Sequence, residues 1–214
     1  MTLWPIAAET AASFFAVAVL LGLAPGPDNL FVLTQSLAHG ARAGWAVTLG
    51  LCTGLIGHTL AVSLGLAAVL VATPWAMQAV QIAGAIYLLR VAWGAWQAAP
   101  AQAQQALALS SMALWRRGVI MNISNPKVAL FFLALLPQFV DPARGEAVPQ
   151  LLALGGLFML ATWLVFGAMA SFAAALGQGL RRHAGAQSAL NRLAAVVLCA
   201  LALRLLWGVV QPGA

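Results

Sequence analysis

The stretch Leu23-Ala24-Pro25-Gly26-Pro27-Asp28-Asn29-Leu30-Phe31-Val32 lies in the middle of an otherwise greasy run, and its reading decides the fold. From Pro5 to Gly40 the chain would extend roughly 54 Å as one helix, against a hydrocarbon core of roughly 30 Å. Pro27 brings no amide hydrogen and clashes with the preceding turn, and Gly26 adds backbone freedom. One helix therefore stops and a second starts within the apolar run. The second piece, from Pro27 to Leu37, sets Asp28, Gln35 and His39 on one side, with Asn29 and Ser36 beside them. Such a polar stripe predicts contact with a cavity or another helix.

The surroundings identify the solvent. Apolar residues make up 63% of the 214 positions and charged residues 7%, too little polar surface to wrap a soluble domain of this length. Apolar segments run over 5–24, 43–72, 75–97, 113–140, 148–177 and 189–210, each long enough for a membrane span of roughly 20 residues. The expectation is an all-α integral membrane protein of six transmembrane helices in a single transporter domain, 1–214. The first 24 residues carry Glu9 and no Lys or Arg, and are expected to be a retained first helix rather than a signal peptide.

Net charge is +6, but the basic residues are scattered at the ends of apolar runs and form no stripe for nucleic acid. They read as topology signals. Arg42, Arg90, Arg116, Arg117, Arg181, Arg182 and Arg192 flank the first, third and fifth connections, whereas the other side holds only Arg144 beside Asp141 and Glu146. Cytoplasmic loops carry the excess of Lys and Arg, so both termini are predicted on the outer side. The Ala- and Gln-rich segment 99–112, with Pro100, divides the chain into repeats 1–98 and 113–214. Three helices per half require opposite orientations if the halves share a fold, an inverted repeat of a kind that transporters use.

A second break supports that repeat. Asn125-Pro126 interrupts the fourth apolar segment and Lys127 follows, in the first turn of a half-helix where the macrodipole disfavours a cation. A lysine near the bilayer centre costs roughly 2.5–3.5 kcal/mol on insertion scales, so a partner is expected. Two candidates are Asp28 and an anionic substrate group. An amino acid carries both charges: Asp28 for its ammonium and Lys127 for its carboxylate is the simplest pairing, and the reverse, with bare helix amides taking the carboxylate, stays open. Substrate-binding candidates are thus Pro25, Gly26, Pro27, Asp28, Asn29, Asn122, Asn125, Pro126 and Lys127.

Together, Pro25-Gly26-Pro27-Asp28-Asn29-Leu30-Phe31-Val32, the following Ser36-Leu37-Ala38-His39-Gly40 and Arg42-Ala43-Gly44, and Asn122-Ile123-Ser124-Asn125-Pro126-Lys127 with Phe131-Phe132 and Pro137-Gln138-Phe139 closely resemble the LysE/RhtB family of bacterial amino-acid exporters. The resemblance covers most of the chain and implies a secondary exporter in the bacterial inner membrane, driven by the proton motive force. It implies an amino acid or close analogue as cargo and a coupling proton. Candidate partners are therefore that small molecule, the proton, membrane lipid and further copies of the chain.

Other features are weaker. Gly50, Gly54 and His58 recur every four residues, with Gly57 adjacent, which suits close helix packing. His58 reads equally as a proton relay or as a packed, hydrogen-bonded histidine, and Gln35 and His39 are further pathway candidates. Gln78, Gln81, Tyr87, Arg90, Thr162 and Ser171 could line the pathway, though most such groups make interhelical hydrogen bonds. Arg204 is expected to snorkel, with Glu9 as the alternative partner. Trp4, Trp45, Trp75, Trp115 and Trp207 fit an aromatic belt. Cys52 and Cys199 lie in apolar segments without metal or redox spacing, so no cofactor and no metal are expected. A divalent-metal exporter and a membrane enzyme are the alternatives, and the chain lacks the clustered ligands or nucleophile and base that they require.

Overall fold

The computed structural model describes residues 5–24, 26–66, 73–97, 109–176 and 184–210. Pro25, Trp4, most of the expected linker, and Arg181, Arg182 and His183 lie outside them, as does the side chain of Arg204. Among the described residues the secondary structure is entirely helical: α1 (Ala8–Leu23), α2 (Pro27–His39), α3 (Ala41–Ala61), α4 (Pro74–Gln97), α5 (Ser111–Ile123), α6 (Pro126–Leu130), α7 (Ala147–Leu176) and α8 (Ala184–Val210).

Local chemistry sets the boundaries. Pro27 occupies the first turn of α2, where a missing amide hydrogen costs nothing, and α2 leaves α1 at 64°. Gly40 closes α2 with φ +82°, a left-handed conformation that favours glycine, and α3 begins at the next residue. Ser110 caps α5, its hydroxyl accepting from the Ala113 amide at 3.3 Å. The Asn125-Pro126 break bends the path by 47°. Beyond Leu130 the chain continues through a π-helical turn, Phe131–Leu135, and a 3-10 turn, Leu136–Phe139, that contains Pro137. From the first turn of α7, buried Gln150 ties down the preceding loop, accepting from the Asp141 amide at 2.9 Å and donating to the carbonyls of Asp141 and Gly145.

Ala41–Gly65 and Ala147–Ala173 are each long and apolar enough to cross a membrane, with mean hydropathies of 1.6 and 2.1, and the bent pairs α1–α2 and α5–α6 qualify if each is one span. Leu49, Ile56, Leu60, Ile86, Leu152 and Leu160 point outward, an apolar girdle that water would not tolerate. The expected segments largely coincide with the helices. The last helix begins five residues earlier than 189, because the polar turn Ala184–Ser188 is helical too.

Helix pairing has a definite sense. α3 runs parallel to α5, with Gly50 against Gly118 and Gly54 against Asn122, and α1 runs parallel to α7, with Phe14 near Phe158 and Gly22 against Val165. α3 and α7 are antiparallel, pairing Gly44 with Ala170 and Thr59 with Gly155. α4 and α8 are antiparallel as well, pairing Gly84 with Leu205 and Gln81 with Gly208. Two tryptophans expected as membrane anchors do interhelical work instead. Trp45 donates to the Ser171 hydroxyl and packs on Trp163, and Trp115 donates to Thr53. Trp75 and Trp207 are exposed, as a belt requires.

The glycines of α3 are not equivalent. A Cβ on Gly50 would run into the Trp115 carbonyl oxygen and lie 3.0 Å from the Gly118 Cα, whereas one on Gly57 meets nothing within 4 Å. Backbone cannot yield as a side-chain tip can. Gly50→Val should therefore lower the melting temperature of the detergent-solubilised protein strongly or prevent its accumulation. Gly57→Ala should leave it unchanged or raise it slightly, since alanine is favoured over glycine in helices by about 1 kcal/mol. Fluorescence-detected size-exclusion melts of the two variants provide the check.

Candidate functional site

Both breaks lie side by side in the interior. Asp28 and Asn29 in the first turn of α2, Asn122 at the end of α5, and Asn125 and Lys127 at the start of α6 are all at most 8% exposed. In an apolar interior each polar atom needs a partner, and the partners cross from one break to the other. The Lys127 ammonium donates to the carbonyls of Leu21 and Ala24, at 3.2 and 3.1 Å. Those are the open carbonyls of the last turn of α1, the negative end of its dipole. Asn29 donates to a third, that of Gly22, at 2.6 Å. In return, Asn125 donates from Nδ2 to Asp28 Oδ2 at 2.7 Å, while its Oδ1 accepts from the Lys127 amide at 3.0 Å and so caps α6. Lys127 thus spends two of its three N–H groups on α1 rather than on Asp28.

The two half-helix starts differ as a result. α6 is capped by Asn125, but Gly26 at the start of α2 has no side chain to offer its first-turn amides. A narrow cavity opens beside this junction, lined by Asp28, Asn122, Lys127, Thr162 and the apolar side chains of Leu21, Leu51, Val128, Phe158 and Phe166. As it stands it has room for about one water molecule. Three acceptor oxygens buried at this junction, Asp28 Oδ1, Asn29 Oδ1 and Asn122 Oδ1, have no protein partner, and Asp28 and Asn122 line the cavity. Acceptors left open next to uncapped helix amides suit a ligand that brings both an ammonium and a carboxylate.

The other sequence candidates separate into near and far. Pro27 and Pro126 shape the breaks and are themselves exposed. Gln35 and Ser36 are buried but off the cavity; Ser36 donates to the Val32 carbonyl and packs against Gly44 of α3. His39 is exposed at the end of α2. His58 is half-buried, its Nε2 3.2 Å from the Asn122 carbonyl oxygen and its ring 5.6 Å from that of Phe132. A carbonyl only accepts, so Nε2 carries the hydrogen and the imidazole faces the negative end of α5. Among the pathway candidates, Thr162 lies on the cavity, and Ser171 is taken by Trp45.

Sequence reading missed the wall. Phe158, Thr162 and Phe166 recur every four residues and form one stripe of α7, a signal present in the sequence but hidden among the many apolar residues of that helix. Phe158 also belongs to an aromatic cluster. Its ring centroid lies 5.0 Å from that of Phe131 and 5.2 Å from that of Phe132, and Phe14 reaches Phe139 at 5.0 Å. Among the described residues no group of three His, Cys, Asp or Glu side chains could hold a metal ion.

An all-helical protein with an apolar girdle, two broken helices and a charged, buried crossing between them belongs to the class of membrane translocators. Residues 19–208 match the family described as LysE type translocator, and the chain belongs to that family. It is 33% identical over 171 residues to an uncharacterized membrane protein of Vibrio cholerae serotype O1, covering 79% of this chain and 83% of that one. It is 32% identical over 163 residues to a homoserine/homoserine lactone efflux protein of Salmonella typhi, covering 75% and 79% respectively. A leucine efflux protein of Klebsiella pneumoniae is 32% identical over 127 residues, 58% of this chain and 60% of that one. No solved structure matches. Family members are translocators, not enzymes.

Asn125 carries the junction, so its loss should be costly. Asn125→Ala removes a helix cap, typically about 1 kcal/mol, and strips Asp28 of its donor, a further 1–3 kcal/mol or so for a buried charged group. The melting temperature should fall by several degrees, and further than for Pro126→Ala, which leaves both hydrogen bonds in place. Parallel thermal melts test the ranking.

Proposed function

We propose that the chain is a secondary exporter of an amino acid or close analogue across the bacterial inner membrane, working by alternating access around the junction of its two broken helices. The observation that carries this reading is that Asp28 and Lys127, buried and opposite in charge, line one cavity while each keeps bonding capacity in reserve. The ammonium of the cargo goes to Asp28 Oδ1 and Asn122 Oδ1. Its carboxylate goes to the uncapped amides of α2 and the third N–H of Lys127. The efflux names of the relatives agree with a cargo of this kind.

The architecture proposed is six spans in a 3+3 inverted repeat, α1–α2, α3 and α4 answering to α5–α6, α7 and α8. Such a symmetry exchanges the parallel pairs α3/α5 and α7/α1, and maps the antiparallel pairs α3/α7 and α4/α8 onto themselves. The pairings described above have this pattern, which supports the repeat. Both termini lie on the outer side, with Arg42, Arg116 and Arg117 facing the cytoplasm. The proton motive force supplies the drive, with Asp28 and Lys127 as the ionisable groups on the cavity and His58, beside Asn122, as the candidate relay.

Two experiments test the reading. Right-side-out vesicles or proteoliposomes loaded with amino acids should show efflux for the wild type and at most a few per cent of it for Asp28→Asn and Lys127→Met; undiminished rates in both variants would remove the junction as the site. For topology, Gly145→Cys should react with a membrane-impermeant maleimide in intact cells. Labelling only after lysis would reverse the orientation.

A further inference from the structure

Hydroxyl groups buried in membrane helices normally bond back to their own helix. Thr48 donates to the Gly44 carbonyl at 2.9 Å, Thr59 to Leu55 at 2.8 Å and Ser36 to Val32 at 2.6 Å. Thr162 departs from this habit. It sits in the middle of α7, is 5% exposed and lines the cavity, and among the described residues its hydroxyl has no hydrogen-bond partner. Around it the wall is apolar: Leu21, Leu51, Val128, Phe158 and Phe166. The charged end of the cavity, by contrast, holds one carboxylate and one ammonium, balanced against a zwitterion and with no second acid for a basic side chain.

We infer that Thr162 is the specificity-determining residue of the cavity wall, its hydroxyl held free to pair with the hydroxyl of a neutral, hydroxylated amino-acid side chain. The inference rests on the exporter reading and adds which cargo the site prefers. Phe158 and Phe166, one turn to either side of Thr162 on the same stripe, leave the cargo side chain little else to bond with. A cargo hydroxyl placed there without Thr162 would be desolvated and unpaired, which is how a single hydrogen bond in an apolar pocket discriminates between near-isosteres. An apolar cargo of equal size would be accepted less well, because it would leave the Thr162 hydroxyl itself unsatisfied.

L-Homoserine and L-norvaline form the matching probe pair, since they differ by hydroxyl against methyl at the same position. The full-length chain in proteoliposomes is loaded with homoserine, norvaline or leucine and compared with Thr162→Val and Thr162→Ser. The expected result is faster efflux of homoserine than of norvaline by the wild type. Thr162→Val should lower homoserine efflux about tenfold, the size of one hydrogen bond, and leave norvaline and leucine unchanged or faster. Thr162→Ser should keep the preference. Parallel changes of homoserine and norvaline in Thr162→Val, or no change in either, would overturn the inference and leave the exporter reading standing. So would a wild type that moves norvaline and leucine as fast as homoserine. A wild type that moves none of the three would overturn the inference, and one that moves no member of a full amino-acid panel would overturn the exporter reading as well. Unchanged melting temperatures for the two variants confirm that rates are compared on folded protein.

Discussion

A broken helix in an apolar interior exposes backbone carbonyls on one side of the break and backbone amides on the other, and hydrocarbon can satisfy neither. The rest of the structure is organised around this constraint. α1 ends at Leu23 with the carbonyls of Leu21, Gly22 and Ala24 needing donors, and the donors come from Lys127 and Asn29. Lys127 in turn is misplaced by its own helix, since a cation at the start of α6 opposes that dipole. By reaching to the end of α1 it moves its charge from an unfavourable helix terminus to a favourable one. A buried lysine and a buried helix end, each costly alone, offset one another.

The two breaks are therefore one unit rather than two. Asn125 joins them from the other direction, bonding Asp28 with its amide nitrogen and capping α6 with its oxygen. Because Asn125 caps α6 and nothing caps α2, the junction is asymmetric although its parts are related. Only one of the two half-helix starts retains open amides. The junction is also held at a fixed distance from α3, since Gly54 admits the Asn122 side chain against its backbone and Gly50 meets Gly118. Packing and polar bonding converge on the same few residues, which leaves little freedom for that part of the molecule to drift.

Much of this was legible in the residues, and the part that was not has a physical reason. Proline and glycine act locally, so both breaks, the helix spans and the close packing at Gly50 follow from short stretches of sequence. Burial of Asp28 and Lys127 follows from their place inside apolar runs. The pairing does not, because opposite charges suggest each other, whereas the open carbonyls of α1 become acceptors only once the backbone has been broken and oriented. Trp45 and Trp115 illustrate the same limit. A tryptophan near a span boundary has the composition of an anchor, yet a neighbouring helix with a hydroxyl within reach converts it into an interhelical donor. The Phe158-Thr162-Phe166 stripe was invisible for a different reason: in a helix that is apolar all round, periodicity carries no information about which face meets a cavity.

Cavity size bears on what must move. Room for about one water molecule is not room for an amino acid, so the proposed export from this cavity would require neighbouring helices to part. α3 and α5 meet backbone to backbone at Gly50 and Gly118, and α3 is tied to α7 by Trp45 and Ser171, so separation there would break tight contacts and hydrogen bonds together. α4 and α8 are different. They pack chiefly on each other and reach the remainder through α1 and through α6 with its π-helical continuation, where Gly84 faces Leu130. No hydrogen bond between side chains crosses that boundary among the described residues, and Phe131 and Phe132, on the less regular π turn, lie next to it. Apolar surfaces slide in lipid at small cost compared with breaking buried polar bonds. Among the described residues the boundary around the α4–α8 pair thus carries no side-chain hydrogen bond, and the polar crossing of the two breaks lies outside it.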